Sequence, residues 1–150
     1  MEKLSRSLED YLEAIYMVSQ EKKVVRVKDI VERLKVRTAS VIGALRKLEE
    51  AGYIIHEHYG YIDCTPSGTK MAEFVYEKHK VLTGFFTDFL QVNPEIAQKD
   101  ACIMEHYISD ETLGKILHLM KLNEPGSGEI PSWFFEFKNY MRTEEQQKKM

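Results

Sequence analysis

Cys102, Glu105 and His106 are the residues whose types and spacing promise chemistry. In a helix they stand at i, i+3 and i+4, so a thiol, a carboxylate and an imidazole share one face. A late first-row divalent cation accepts all three. Singly, each has an ordinary role: a small buried thiol, a solvated carboxylate, a satisfied core histidine. Together they predict a metal site. The Cys/His pair is also the minimum of a thiol nucleophile, but nothing glycine-rich nearby offers donors to an oxyanion, so no enzyme activity is expected.

One helix cannot close a metal shell. Asp10 and Glu13, at i and i+3 on an N-terminal helix, and His79 on a long central helix are the candidates to complete it. The donor set is mixed. Thiolate and imidazole suit Fe(II), Co(II), Ni(II) or Zn(II), whereas carboxylates shift the preference toward Mn(II). Ligands drawn from three helices would make binding a coupling device.

The elements that must carry these residues follow from periodicity and caps. A helix is predicted over Ser7 to Glu21, with Ser7 as N-cap and Leu8, Tyr11, Leu12, Ile15, Tyr16 and Val18 as its apolar stripe. Val24 to Val27 reads as a short strand or the lead into a helix over Val27 to Leu34. A second helix runs from Arg37 or Thr38 to about Ala51, stopped by Gly52. Tyr53–His58 and Tyr61–Cys64 form a hairpin about Tyr59-Gly60. Two short helices and a hairpin in this order predict a winged helix-turn-helix. Thr65-Pro66 then opens a helix of about 25 residues, broken at Asn93-Pro94; its apolar excess suits a linker that also packs a dimer. Pro94 starts a helix through about Ile108, and Ser109-Asp110-Glu111 caps another to about Leu122. A short helix over Trp133 to Met141 and a frayed polar tail end the chain.

These elements give a mainly α chain in three parts: a winged domain over 1–64, a helical metal-binding and dimerisation domain over 65–142, and the tail over 143–150. The length of 150 residues suits one ordinary domain or two small ones. No apolar run approaches the roughly 20 residues of a membrane span. Two cysteines behind an N-terminus without an apolar signal segment predict a reducing cytoplasm.

A net charge of −3 does not announce a nucleic-acid binder, but its distribution does. From Lys22 to Lys47 there are nine basic residues against two acids. One basic face is therefore expected on an acidic protein. Arg37, Thr38, Ala39 and Ser40, with Gly43 a turn on, would meet base edges in the major groove, their short side chains allowing close approach. Arg26, Lys28, Arg46 and Lys47 are the expected phosphate contacts, and the wing residues His58, Tyr59 and Tyr61 the expected backbone or minor-groove contacts.

The order of these features carries a resemblance. A winged helix, a long helix with His79 and then Cys102-x-x-Glu105-His106 resemble the diphtheria-toxin-repressor and manganese-transport-regulator family of metal-dependent repressors. So do Leu8–Tyr16, Leu48–Ile54 and Thr65-Pro66-Ser67-Gly68, and the likeness spans about residues 5 to 132. The resemblance implies a cytoplasmic homodimer that binds palindromic operators when loaded with Fe(II) or Mn(II), with no membrane or small-molecule substrate. Carried over by position, it implies a principal site of Asp10, Cys102, Glu105 and His106, with Glu13 and His79 in a neighbouring second site. The pattern mixes two branches. Iron-type members resemble this chain at Cys102 but carry Met where Asp10 stands, and a carboxylate and a histidine where Thr83 and Gln98 stand. Manganese-type members resemble it at Asp10 and Glu13 but carry Glu where Cys102 stands. The chain is expected to be a short form without the SH3-like third domain of longer members.

The expected function is a metal-dependent repressor of metal-uptake genes, Fe(II) ahead of Mn(II) because the thiolate is the more discriminating ligand. The alternative is a winged helix whose structural zinc serves protein assembly rather than DNA binding.

Overall fold

In a computed structural model, which describes residues 3–57, 60–126 and 128–150, two units pack separately, one ending at Glu77 and the other beginning at Lys78. The first unit opens with α1 (Arg6–Glu21). Its N-cap is Ser5, not Ser7: Ser5 is extended and its side chain accepts from the Leu8 N–H. That places Ser7 inside the helix. The buried stripe of α1 is Tyr11, Leu12, Ala14, Ile15 and Val18.

Strand β1 (Val25–Arg26) leads into α2 (Val27–Leu34). Asp29, at the third helical position of α2, accepts from the Arg26 N–H at 2.9 Å and from Lys22 Nζ at 2.6 Å, which fixes where α2 starts. Lys35 in the left-handed region (φ 54°) turns the chain into α3 (Thr38–Glu50). Gly52 at φ 79° ends that helix, as its sequence position foretells.

Strands β2 (Ile54–His56) and β3 (Tyr61–Cys64) make the hairpin, and β1 joins it to give an antiparallel sheet in the order β1-β3-β2. Ile62 pairs with Val25 on one side and His56 on the other. Cys64 is half-buried against the core of this unit, and its surroundings push the thiol up to about 11, first through burial and then through Asp63. It is a packing residue rather than a nucleophile.

Helix α4 (Pro66–Gly84) begins on this unit and continues into the next. Thr65 caps it, accepting from the Gly68 N–H and donating to the Gly52 carbonyl. Gly68 lies so close to the backbone at Tyr53 that a β-carbon there would fall 1.8 Å from the Tyr53 carbonyl oxygen.

In the second unit the helix underwinds into a π-turn over Phe85–Phe89, and the Leu90 N–H reaches the Phe85 carbonyl. Sequence periodicity missed this, because a π-turn adds one residue without any breaker. It turns Phe86 and Phe89 into the interior. Helix α5 (Pro94–Met104) follows, capped by Asn93, and then α6 (Asp110–Met120), capped by Ser109. Leu82, Phe86, Ala97 and Ala101 form the core here, with Ile108, Leu113 and Ile116 packed on it.

Helix α7 (Ser132–Lys148) is longer than the predicted segment and takes in most of the tail expected to fray. Its Phe134 is buried, and Phe134 and Phe137 both contact Phe89, at 5.4 and 5.2 Å between ring centroids. The Tyr140 hydroxyl donates to Glu144, and good helix formers carry the last turns.

Candidate metal centre and nucleic-acid interface

Helix α5 stops at Met104, four residues before its predicted end. Ser109 must be extended to cap α6, so the chain leaves the helix early, with Tyr107 and Ile108 both donating to the Met104 carbonyl. Glu105 nevertheless keeps helical backbone angles (φ −56°, ψ −30°), and its N–H reaches the Ala101 carbonyl. Cys102 and Glu105 therefore keep their helical relation, and His106 follows in the closing turn.

Within the second unit, α4 and α5 bring four of the proposed ligands together. His79 Nδ1 lies 2.7 Å from Glu105 Oε2 and 3.7 Å from Cys102 Sγ. His106 Nε2 lies 3.4 Å from the other carboxylate oxygen, Glu105 Oε1. Glu105 thus presents one oxygen to each imidazole. The Glu105 and His106 side chains are each about 1 % exposed and that of His79 13 %, while Cys102 is exposed. Cys102 and then Glu105 hold the ring proton of His79 and raise it to about 10 against the opposing effect of burial. The sulfur and the carboxylate at one ring nitrogen thus favour the charged form of His79.

Two imidazoles, a doubly engaged carboxylate and a thiol fit a first-row divalent cation. Thr83, one turn beyond His79 on the same face of α4, has its hydroxyl buried without a hydrogen-bond partner, which leaves a polar atom for a bound water. Asp10 and Glu13 stand one turn apart on α1 in the first unit, both half-buried.

Spacing gave no hint of one contact that braces this turn. Lys78, beside His79, bonds at 3.1 Å to Asp110, the first residue of α6. The pair brackets the Glu105–Ser109 turn from outside, and nothing in a separation of this length announces it.

On the first unit, Arg37, Thr38, Ala39, Ser40, Gly43, Arg46 and Lys47 are all exposed, on the side of α3 away from Val41, Ala44, Leu45 and Leu48. Lys28 is exposed as well. Arg26 is exposed but engaged: its guanidinium lies 5.3 Å from the Tyr61 ring centroid, across the β1–β3 pair. Tyr59 and His58 lie outside the described residues. No helix among the described residues is long and apolar enough to cross a membrane.

Comparison with known proteins identifies both domains. The domain described as "Iron dependent repressor, N-terminal DNA binding domain" matches residues 3–62, and "Iron dependent repressor, metal binding and dimerisation domain" matches residues 65–129. An uncharacterised HTH-type transcriptional regulator of Methanocaldococcus jannaschii is 31% identical, over 79% of this chain and 95% of its own length. The HTH-type transcriptional regulator MntR of Shouchella clausii is 35% identical, over 77% of this chain and 80% of its own. The solved structure of the manganese regulator SloR matches with a TM-score of 0.66 at 28% identity, over 83% of this chain and 59% of that one. With a DNA-binding domain, a metal-binding and dimerisation domain and relatives of this identity, the chain belongs to the iron-dependent repressor family, the metal-dependent transcriptional repressors of the diphtheria-toxin-repressor and manganese-transport-regulator type.

Proposed function

We propose that this chain represses metal-uptake genes as a homodimer on a palindromic operator when Fe(II) is bound, with Mn(II) the next candidate. The observation that carries the proposal is Glu105 with one oxygen on each of two imidazoles and a thiol at the first of them. The thiol supports Fe(II), since a soft ligand discriminates against Mn(II). The buried carboxylate supports Mn(II) as the second reading, as do the manganese functions in the names of SloR and related regulators.

His79, Cys102, Glu105 and His106 would hold the ion, which supplies positive charge among groups otherwise held together by the His79 proton. Asp10 and Glu13 are proposed to join from α1 on the strength of their spacing and the family pattern. Through them metal loading would bias the population toward a dimer that presents its two α3 helices to half-sites about one DNA turn apart. Arg37, Thr38, Ala39, Ser40 and Gly43 would face bases; Arg26, Lys28, Arg46 and Lys47 would face phosphates; Tyr59 would sit on the wing. The matched DNA-binding domain removes the motive for a zinc site used in assembly alone. The chain is read as a non-enzyme of the cytoplasm, which two free cysteines support.

The test is operator binding by fluorescence anisotropy, under anaerobic conditions, across Fe(II), Mn(II), Co(II) and Zn(II), with His106→Ala beside the wild type. Metal-dependent binding that collapses in the variant is expected. Binding that ignores both metal and mutation would overturn the proposal.

A further inference from the structure

We infer that Tyr61 is a positioning residue for DNA binding: its ring holds the Arg26 guanidinium on the outer face of the wing sheet, preorganised for a backbone phosphate. The inference rests on the reading of Arg26 as a phosphate contact. It gives Tyr61 a role through that residue, rather than as a groove contact in its own right.

Strand alternation places the pair. Strand β1 runs antiparallel to β3, with Val25 opposite Ile62 and Arg26 opposite Tyr61. Val25 and Ile62 are 2 % and 1 % exposed, so they mark the inward face. Side chains alternate along a strand, so Arg26 and Tyr61 share the outward face, directly opposite each other. There the guanidinium carbon lies 5.3 Å from the ring centroid, and the guanidinium donates to the Tyr61 hydroxyl at 3.4 Å. The backbone of Arg26 is fixed as well. Its N–H donates to Asp29 at 2.9 Å, because α2 starts from this residue.

An aromatic partner holds a cation without neutralising it. Arg33 on α2 shows the contrast, with its guanidinium 3.0 Å from Glu21. Among the described residues no carboxylate pairs with the Arg26 guanidinium. Asp63, the next outward residue of β3, stands opposite Ile55 instead. A guanidinium has several N–H donors and Tyr61 takes one, so the others remain for phosphate oxygens. An unheld arginine gives up rotamer freedom when it grips a phosphate; Arg26 is confined before DNA arrives. The ring adds affinity without adding charge. Its effect therefore belongs in the binding constant and not in the salt slope, which counts phosphates neutralised.

The experiment is fluorescence anisotropy of the full chain, with saturating Mn(II), on a mixed-sequence B-DNA duplex over a salt series. A phosphate contact acts on any sequence, so this probe suffices. Arg26→Ala should weaken binding and lower the slope of log affinity against log salt by about one. Tyr61→Val should weaken binding about threefold to tenfold, the cost of confining one long side chain, with the slope unchanged. Tyr61→Thr should match it; both residues suit a strand, and Tyr61 lies on the face away from the core. Tyr61→Phe keeps the ring and should stay within about twofold of wild type. In the Arg26→Ala background, Tyr61→Val should change nothing beyond about twofold. Ring-free variants that bind like wild type while Arg26→Ala is weakened would overturn the inference and leave the phosphate contact standing. An equal loss from Tyr61→Val with and without Arg26 would overturn it by showing that Tyr61 acts independently of Arg26. Unchanged affinity and slope in Arg26→Ala would overturn both the inference and the phosphate contact beneath it.

Discussion

Metal binding and protonation compete for one nitrogen, and the size of that competition follows from the geometry. Cys102 and Glu105 raise His79 to about 10, so at pH 7 its Nδ1 carries a proton in all but about one molecule in a thousand. A cation that takes Nδ1 must expel that proton. From this residue alone, apparent affinity at pH 7 lies about a thousandfold below its high-pH limit, roughly 4 kcal/mol, and rises about tenfold per pH unit toward that limit. Calorimetric titration with Zn(II) in buffers of different ionisation enthalpy counts the protons released. At pH 7 the wild type should release about one more proton than His79→Gln. Its affinity should also climb more steeply than the variant's between pH 6.5 and 8. An equal proton count in the two proteins, or parallel pH profiles, would refute the claim that the metal takes the nitrogen now shared by Cys102 and Glu105.

The same raised group acts on stability with a definite sign. Its contribution is fully present below the unfolded value near 6.5 and is lost as pH rises through about 10, so chelator-treated protein should melt progressively lower across that window, and His79→Gln should flatten the trend. Gly68→Ala should destabilise the first unit by about 3 kcal/mol or more in denaturant titration, because the new β-carbon meets the Tyr53 carbonyl at 1.8 Å and neither backbone can yield. Gly43→Ala should do the reverse, raising stability by up to about 1 kcal/mol since nothing lies within 4 Å of the added carbon, while weakening operator binding if α3 approaches the bases closely there. Arg46→Ala and Lys47→Ala should each reduce the slope of log affinity against log salt by about one, uniformly across DNA sequences.

Much of the fold was legible because its signals are local. The buried stripes of α1 and α3, the Gly52 stop and the Thr65 cap all lie within a turn or two of the structure they specify. The winged unit followed from their order. The misreadings share a cause. Ser7 was read as the cap where Ser5 serves, the π-turn at Phe85–Phe89 has no breaker to mark it, and the early end of α5 is imposed by the capping demand of the next helix at Ser109. Each depends on backbone geometry chosen among near-equal local options.

For the metal centre the division is sharper. Residue types and helical spacing determined by themselves that Cys102, Glu105 and His106 would occupy neighbouring positions and that His79 was a candidate partner. Which donor meets which was decided by tertiary packing. His79 reaches Cys102 across 23 residues and Glu105 across 26, a pairing set by how α4 and α5 are rotated about their shared core. Spacing along one helix fixes angles around that helix alone; the facing helix, and the oxygen of Glu105 it takes, depend on side chains packed between the two.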